Sequence, residues 1–163
     1  MEHLYSRLPP APASVRSPRL WRTALLALGA TLVLGITGAL TALGDTLFHA
    51  TSLAGGVTQD FASGSHFLVK LRILHPILAV LTAAWVFYFS EKASELPGLD
   101  ARLPTALKAL VAAQLLVGMV NLVLLAPTSL QLVHLGVAEC LWVVLVLTVA
   151  QALAQPGLGA PTT

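Results

Sequence analysis

The sequence predicts an all-α integral membrane protein: an up-down bundle of four transmembrane helices with both termini on the cytoplasmic side. Three observations lead there. Hydrophobic residues make up 56% of the 163-residue chain and charged residues only 10%. The mean hydropathy is +0.84, more apolar surface than a soluble domain can hide. Four stretches reach the roughly 20 apolar residues that a hydrocarbon core demands, at about 21–43, 66–89, 105–125 and 130–152. The basic residues are also lopsided. Arg7, Arg16, Arg19, Arg22, Lys92, Arg102 and Lys108 fall on the side of the termini, and Lys70 and Arg72 on the other. Cationic loops stay cytoplasmic, so these residues report topology and not binding to nucleic acid.

The elements follow in order. Residues 1–19 hold Pro9, Pro10, Pro12 and Pro18 with several serines and read as a flexible cytoplasmic segment. The transmembrane domain spans 20–153. The apolar part of its first helix, Ala24–Leu43, is too long for the core of a signal peptide, so the helix is retained. The following loop, Gly44–Ser65, carries Phe48, Leu53, Val57 and Phe61. That is too apolar for a free linker and predicts a short amphipathic piece lying at the membrane surface. Ser63-Gly64-Ser65 is the expected N-cap of the second helix. Pro76, inside that helix, removes a backbone donor and predicts a kink. The charged loop Glu91–Pro104 leads to the third helix. A tight turn at Ala126-Pro127-Thr128-Ser129 makes the last two helices a close antiparallel hairpin. Residues 154–163, with Pro156 and Pro161, read as a disordered tail. Cys140 is the single cysteine; it excludes an intrachain disulfide and reads as a small buried hydrophobe. Trp21, Trp85 and Trp142 read as packing or interfacial anchors.

The two halves echo each other. Arg72-Ile-Leu-His75-Pro-Ile-Leu-Ala79 and Gln131-Leu-Val-His134-Leu-Gly-Val-Ala138 share the pattern polar-x-x-His-x-x-x-Ala. Leu34-Gly35 and Val117-Gly118 give a weaker match between the other two helices. The pattern suggests a duplicated helical hairpin.

An ionisable side chain inside a membrane is costly and functional by default. The second and fourth helices run in the same direction, and their histidines differ in depth by about one helical turn or less. Two imidazoles at matched depth, near the outer face, can take both axial positions of a haem iron. Haem propionates call for cations. Arg72, one turn outward of His75, and Lys70 are the two available there; Arg72 serves equally well as an interfacial anchor. Gly35, Gly38, Ala79, Gly118 and Ala138 leave room for close helix approach or for a flat macrocycle. His49 and His66 read as interfacial polar residues, and His3 lies in the N-terminal segment. Glu139, five residues inward of His134, is expected to be neutral, paired or turned to the bundle interior, with Asn121 a possible partner. Asp45 closes the first helix at the end where the dipole disfavours an acid, which predicts a partner such as Arg72.

At these residues the chain resembles the haem A synthase family. The resemblance rests on Gly38-Ala-Leu-Thr-Ala-Leu-Gly-Asp45-Thr-Leu-Phe48, Asp60-Phe61, His66-Phe67-Leu68, Leu71-Arg72-Ile-Leu-His75-Pro76 and the Pro127…His134-Leu135…Ala138 start of the fourth helix. It implies oxidation of the haem O methyl group to the formyl group of haem A, for cytochrome oxidase assembly. It also implies a multi-pass protein of the bacterial inner membrane. Full-length members have eight helices in two four-helix halves, each with a histidine pair. This chain resembles a single half, more the C-terminal one, whose pair binds haem b. In the family's catalytic half a glutamate stands three residues before the first histidine; here that position is Arg72. The paired outer-loop cysteines of some members are also missing. Two readings stay open. The chain is a compact synthase acting as a homo-oligomer, with Asp45, Asp60 or Glu139 as the acid. Or it is a non-catalytic haem-binding half that works with a second synthase half. The lipid bilayer, haem and haem O synthase are the other partners implied.

Overall fold

The computed structural model describes residues 18–154. The expected flexible N-terminal segment and C-terminal tail therefore lie almost wholly outside the described residues. Five helices follow in order: α1 (Pro18–Leu47), α2 (Leu53–Phe61), α3 (Phe67–Ser94), α4 (Arg102–Val123) and α5 (Thr128–Ala154). α1, α3, α4 and α5 are long and apolar enough to cross a membrane, so the protein is the four-helix membrane bundle that the hydropathy predicts.

The helices outrun their apolar stretches. α1 continues through Gly44, Asp45 and Thr46, and α3 continues to Ser94. The backbone ladder extends into the interface, where polar side chains are tolerated. At the inner end, Lys92 Nζ pairs with Glu95 at 2.8 Å and Lys108 Nζ with Glu91 at 2.9 Å. At the outer end, Gly44 is buried against α3. A Cβ there would meet the Leu68 carbonyl oxygen at 2.9 Å, so only glycine lets the two backbones come this close.

The loop after α1 carries the short helix the sequence suggests. Ser52 caps it, its side chain accepting from the Gly55 N–H at 3.0 Å. The cap of α3 differs from expectation. Ser65 is turned back to close α2, donating to the carbonyls of Gln59 and Ala62. His66 is the N-cap instead, its Nδ1 accepting from the Leu68 N–H at 3.3 Å. α3 runs on through Pro76 as one helix. Between α4 and α5, Leu125 and Ala126 both take left-handed conformations (φ 60° and 53°). The Ala126 N–H reaches back to the Asn121 carbonyl at 2.8 Å, which ties off the end of α4.

Around the bundle α1 neighbours α3, α3 neighbours α4, α4 neighbours α5, and α5 closes on α1. α3 and α5 therefore lie on a diagonal. The packed core sits at the inner end. Ala24 and Ala27 of α1 meet Val86, Phe89 and Ala93 of α3, with Leu107 of α4 and Leu145 of α5. Trp85 Nε1–H donates to the Thr23 carbonyl at 3.2 Å, and buried Ser90 donates to the Pro104 carbonyl at 2.8 Å. Between this core and the buried Gly44, Leu68 and Val69 at the outer end, none of residues 28–43, 70–81, 112–123 or 128–140 is fully buried. Both histidines of the repeated pattern lie there.

Candidate functional site

His75 on α3 and His134 on α5 approach the interior from the two ends of the diagonal. They lie within electrostatic reach of one another. Each ring rests against a glycine of the neighbouring helix. A Cβ on Gly38 of α1 would meet His75 Cε1 at 2.9 Å, and a Cβ on Gly118 of α4 would meet His134 Cε1 at 3.1 Å. A side chain at either position would push the imidazole out of place. Gly35 meets nothing within 4 Å. The repeat therefore pairs Gly38 with Gly118, and not Gly35 with Gly118 as the sequence alone suggested. One period of a helix lies between the two choices, and only the ring contact separates them.

Each ring is also tied at one nitrogen. Thr37 Oγ1 lies 3.2 Å from His75 Nδ1. The single Thr37 hydroxyl proton is directed to the Leu34 carbonyl at 2.9 Å. With that proton so directed, Thr37 accepts from His75, which corresponds to the tautomer with the proton on Nδ1 and Nε2 left for another partner. On the other side Gln114 Nε2 lies 3.2 Å from His134 Nε2. Gln114 Oε1, His134 Nδ1 and Asn121 Oδ1 are buried without a partner. Turning the Gln114 amide end for end changes which atom meets the ring, but one imidazole nitrogen is tied to Gln114 in both cases and Nδ1 stays unpartnered. Each imidazole is thus tied at one nitrogen, as metal-ligating histidines commonly are. Thr37 and Gln114 were not singled out from the sequence. They sit on helices without the histidines, and no local pattern marks them.

Arg72 is one turn outward of His75, and its guanidinium is fully engaged by the protein. Nε donates to Asp45 Oδ1 at 2.6 Å. One terminal nitrogen donates to Gln59 Oε1 at 3.0 Å and Asp60 Oδ1 at 3.4 Å. The other donates to the carbonyls of Gly44 and Phe48. Its side chain is only 9% exposed. Arg72 thus joins the end of α1, helix α2 and the start of α3, and Asp45 gains the partner its position called for. Gln131, at the matching position before His134, donates to the Ala126 carbonyl at 2.6 Å. In both halves the residue three before the histidine seals the end of the preceding helix. Lys70 is exposed on α3.

The three candidate acids are placed differently. Asp45 and Asp60 are held by Arg72; burial pushes the Asp60 carboxyl above the usual carboxylate range, against the pull of Arg72. Glu139 neither pairs with Asn121 nor faces inward. It is exposed on the outer surface of α5, as is Cys140, so the buried cysteine expected there is also corrected. A helix five residues on has turned through well over a full circle, which carries Glu139 away from the face that holds His134. His66 stacks on Phe48, ring centroids 5.2 Å apart. Among the described residues no group of three or more His, Cys, Asp or Glu side chains gathers into a multi-ligand metal site. What the site offers is the two imidazoles of His75 and His134, within electrostatic reach of one another.

The sequence and this architecture can be set beside known proteins. The COX15-CtaA family model, described as cytochrome oxidase assembly protein, matches residues 2–146. The chain belongs to this family. Two curated relatives, both described as protoheme IX farnesyltransferase and from two strains of Thermus thermophilus, are each 40% identical over 130 residues. The match takes in 78% of this chain and 21% of each relative. The chain thus spans about a fifth of the length of the curated relatives it matches. No solved structure matches. The family match takes in His75, His134, Gly38, Gly118, Thr37 and Gln114 alike.

Proposed function

We propose that this protein is a haem-binding unit of a haem A synthase-type system, with His75 and His134 as the axial ligands of one haem b. The single observation that carries the reading is the diagonal pair of imidazoles, each backed by a glycine and anchored at one nitrogen by the neighbouring helix. That donor set fits a flat macrocycle with two axial positions. It suits no ion that demands four or six protein ligands. When bound, haem would supply one-electron chemistry. The chain's own part is mechanical and electrostatic. Thr37 would present Nε2 of His75, Gln114 would steady His134, and Gly38 and Gly118 would set the ring positions.

The reaction proposed for the system is oxidation of the haem O methyl group to the formyl of haem A, in cytochrome oxidase assembly. Family membership supports it. So do the Thermus relatives, whose name couples a related segment to farnesylation of protohaem IX in one polypeptide. On this reading a farnesylating enzyme supplies the haem that the system then oxidises. The charge bias and the bacterial relatives support placement in a bacterial inner membrane.

A second reading is favoured by one specific observation. Arg72 occupies the position of the family's catalytic glutamate, and both nearby acids are bound to it. The chain would then hold haem for electron transfer, with methyl oxidation performed by a separate half. Expression with haem O synthase in a host lacking its own synthase decides between them. Haem A in the extracted pigments supports the synthase. Haem b bound to the protein with no haem A supports the second reading, and no bound haem of any kind refutes both.

A further inference from the structure

The two histidines are not held alike. In the register that pairs Gly38 with Gly118, the residue one before the glycine is Thr37 on α1 and Val117 on α4. The residue four before it is Leu34 on α1 and Gln114 on α4. Each helix thus carries one polar anchor at its own position, and an apolar side chain where the other helix has its anchor. The contacts follow this exchange. Thr37 Oγ1 meets Nδ1 of His75 at 3.2 Å, and Gln114 Nε2 meets Nε2 of His134 at 3.2 Å. One ring is tied by its near nitrogen and the other by its far one.

The two nitrogens differ in reach. Nδ1 adjoins Cβ and lies close to the residue's own helix, whereas Nε2 stands at the far edge of the ring. A broad, flat macrocycle is therefore met through Nε2. His75 offers that atom freely. On His134 it is covered by Gln114, whichever way round the amide lies. The same side carries the unmet hydrogen-bonding capacity. Among the described residues the buried side-chain atoms without a partner are Gln114 Oε1, Asn121 Oδ1 and His134 Nδ1, all on α4 and α5. Unpaired buried polar atoms are costly, so this side gains by rearranging. The side of His75 is braced instead. Thr41, the counterpart of Asn121, directs its hydroxyl to the Thr37 and Leu71 carbonyls. Arg72 ties the start of α3 to α1 and α2.

We propose that His75 is the standing ligand of the site and His134 the exchangeable one, with Gln114 as the alternative partner of its Nε2. The proposal rests on the haem-binding reading above. In the empty protein Gln114 steadies the ring of His134. Nε2 reaches a metal only when Gln114 lets go, whereas no hydrogen bond of His75 has to break. The competition also runs in reverse. In the filled site His134 has a hydrogen bond to return to, and the axial position it leaves is open to a small ligand from outside.

The full chain, reconstituted with haem in nanodiscs, tests this by haem content, spin state and cyanide affinity. His134→Ala is expected to keep most of its haem in a high-spin form, and His75→Ala to lose most of it. Equal retention by the two variants, or greater retention by His75→Ala, overturns the proposal and leaves the haem-binding reading standing. A wild type that takes up no haem overturns both. Cyanide titration of the ferric protein, followed by the shift of the Soret band, reads the exchange itself. Gln114→Leu installs the residue that α1 carries at the equivalent position, so the substitution suits the fold, and circular dichroism verifies it. With the alternative partner gone, His134 leaves less readily. Cyanide affinity is expected to fall about fivefold, the equivalent of one net hydrogen bond. A Gln114 that only props the ring for ligation gives the opposite sign, because its loss loosens His134 and cyanide binds more tightly. Unchanged or tighter cyanide binding by Gln114→Leu therefore overturns the proposal.

Discussion

Gly38→Ala is expected to damage the site, while Gly35→Ala, one turn away on the same helix, is not. A Cβ on Gly38 would stand 2.9 Å from His75 Cε1, whereas carbon atoms rest at about 3.5–4.0 Å. The ring must therefore yield by about 0.6 Å or more, beyond the roughly 0.5 Å within which a ligand constellation has to be held. The same movement lengthens a Thr37 contact that is already 3.2 Å. If the ring swings about 30° off its rotamer, the cost is about 1 kcal/mol, or roughly fivefold in affinity. Gly118→Ala meets His134 Cε1 at 3.1 Å and should cost somewhat less. Gly35→Ala meets nothing and should stabilise α1 by about 0.5–1 kcal/mol through backbone entropy. The assay is haem content per chain by pyridine haemochrome, with the absorption spectrum reporting coordination. The expected order of haem loss is Gly38→Ala, then Gly118→Ala, with Gly35→Ala at wild type. Equal content in all three, or a greater loss for Gly35→Ala, would refute the glycine cradle.

Other outcomes follow from the same geometry. Arg72→Met leaves Asp45 and Asp60 without their cation and should destabilise the ligand-free protein by about 3 kcal/mol, read as a fall in Tm. Arg72→Lys should recover only part of this, because one ammonium cannot reach five acceptors; an Arg72 that acts solely on propionates would instead leave ligand-free stability unchanged. Thr37→Val removes the acceptor for His75 Nδ1–H and should lower haem affinity, read as haem content per chain, without altering helicity, whereas Thr46→Val, at the exposed end of α1, should leave haem content at wild type. Ala126→Gly relieves a left-handed alanine and should raise thermal stability by about 1 kcal/mol; an unchanged Tm would count against the turn geometry.

The fold was largely legible because a bilayer imposes simple rules. Four apolar runs and a seven-to-two split of cations were enough for the helices and their direction. Helix ends were less legible, since hydropathy marks where apolar residues stop and not where hydrogen bonding stops, as Gly44–Leu47 and Glu91–Ser94 illustrate. The histidine register was visible because it repeats within one helix type. Its anchors were not: Thr37 and Gln114 act across helix pairs, at distances no local pattern encodes. Ser65 was the expected cap, and His66 took its place because Ser65 found acceptors at the end of α2. Glu139 looked like a site residue by depth alone. Its face depends on helical rotation relative to His134, and that rotation points it out of the bundle.

The central claim is that His75 and His134 together hold one haem. Haem stoichiometry and spin state, measured on the purified chain after haem supplementation, test it most directly. The account predicts one low-spin, six-coordinate haem per chain in wild type and in His3→Ala, and loss of the low-spin signal in both His75→Ala and His134→Ala. The same haem content and spectrum in all four proteins would contradict it.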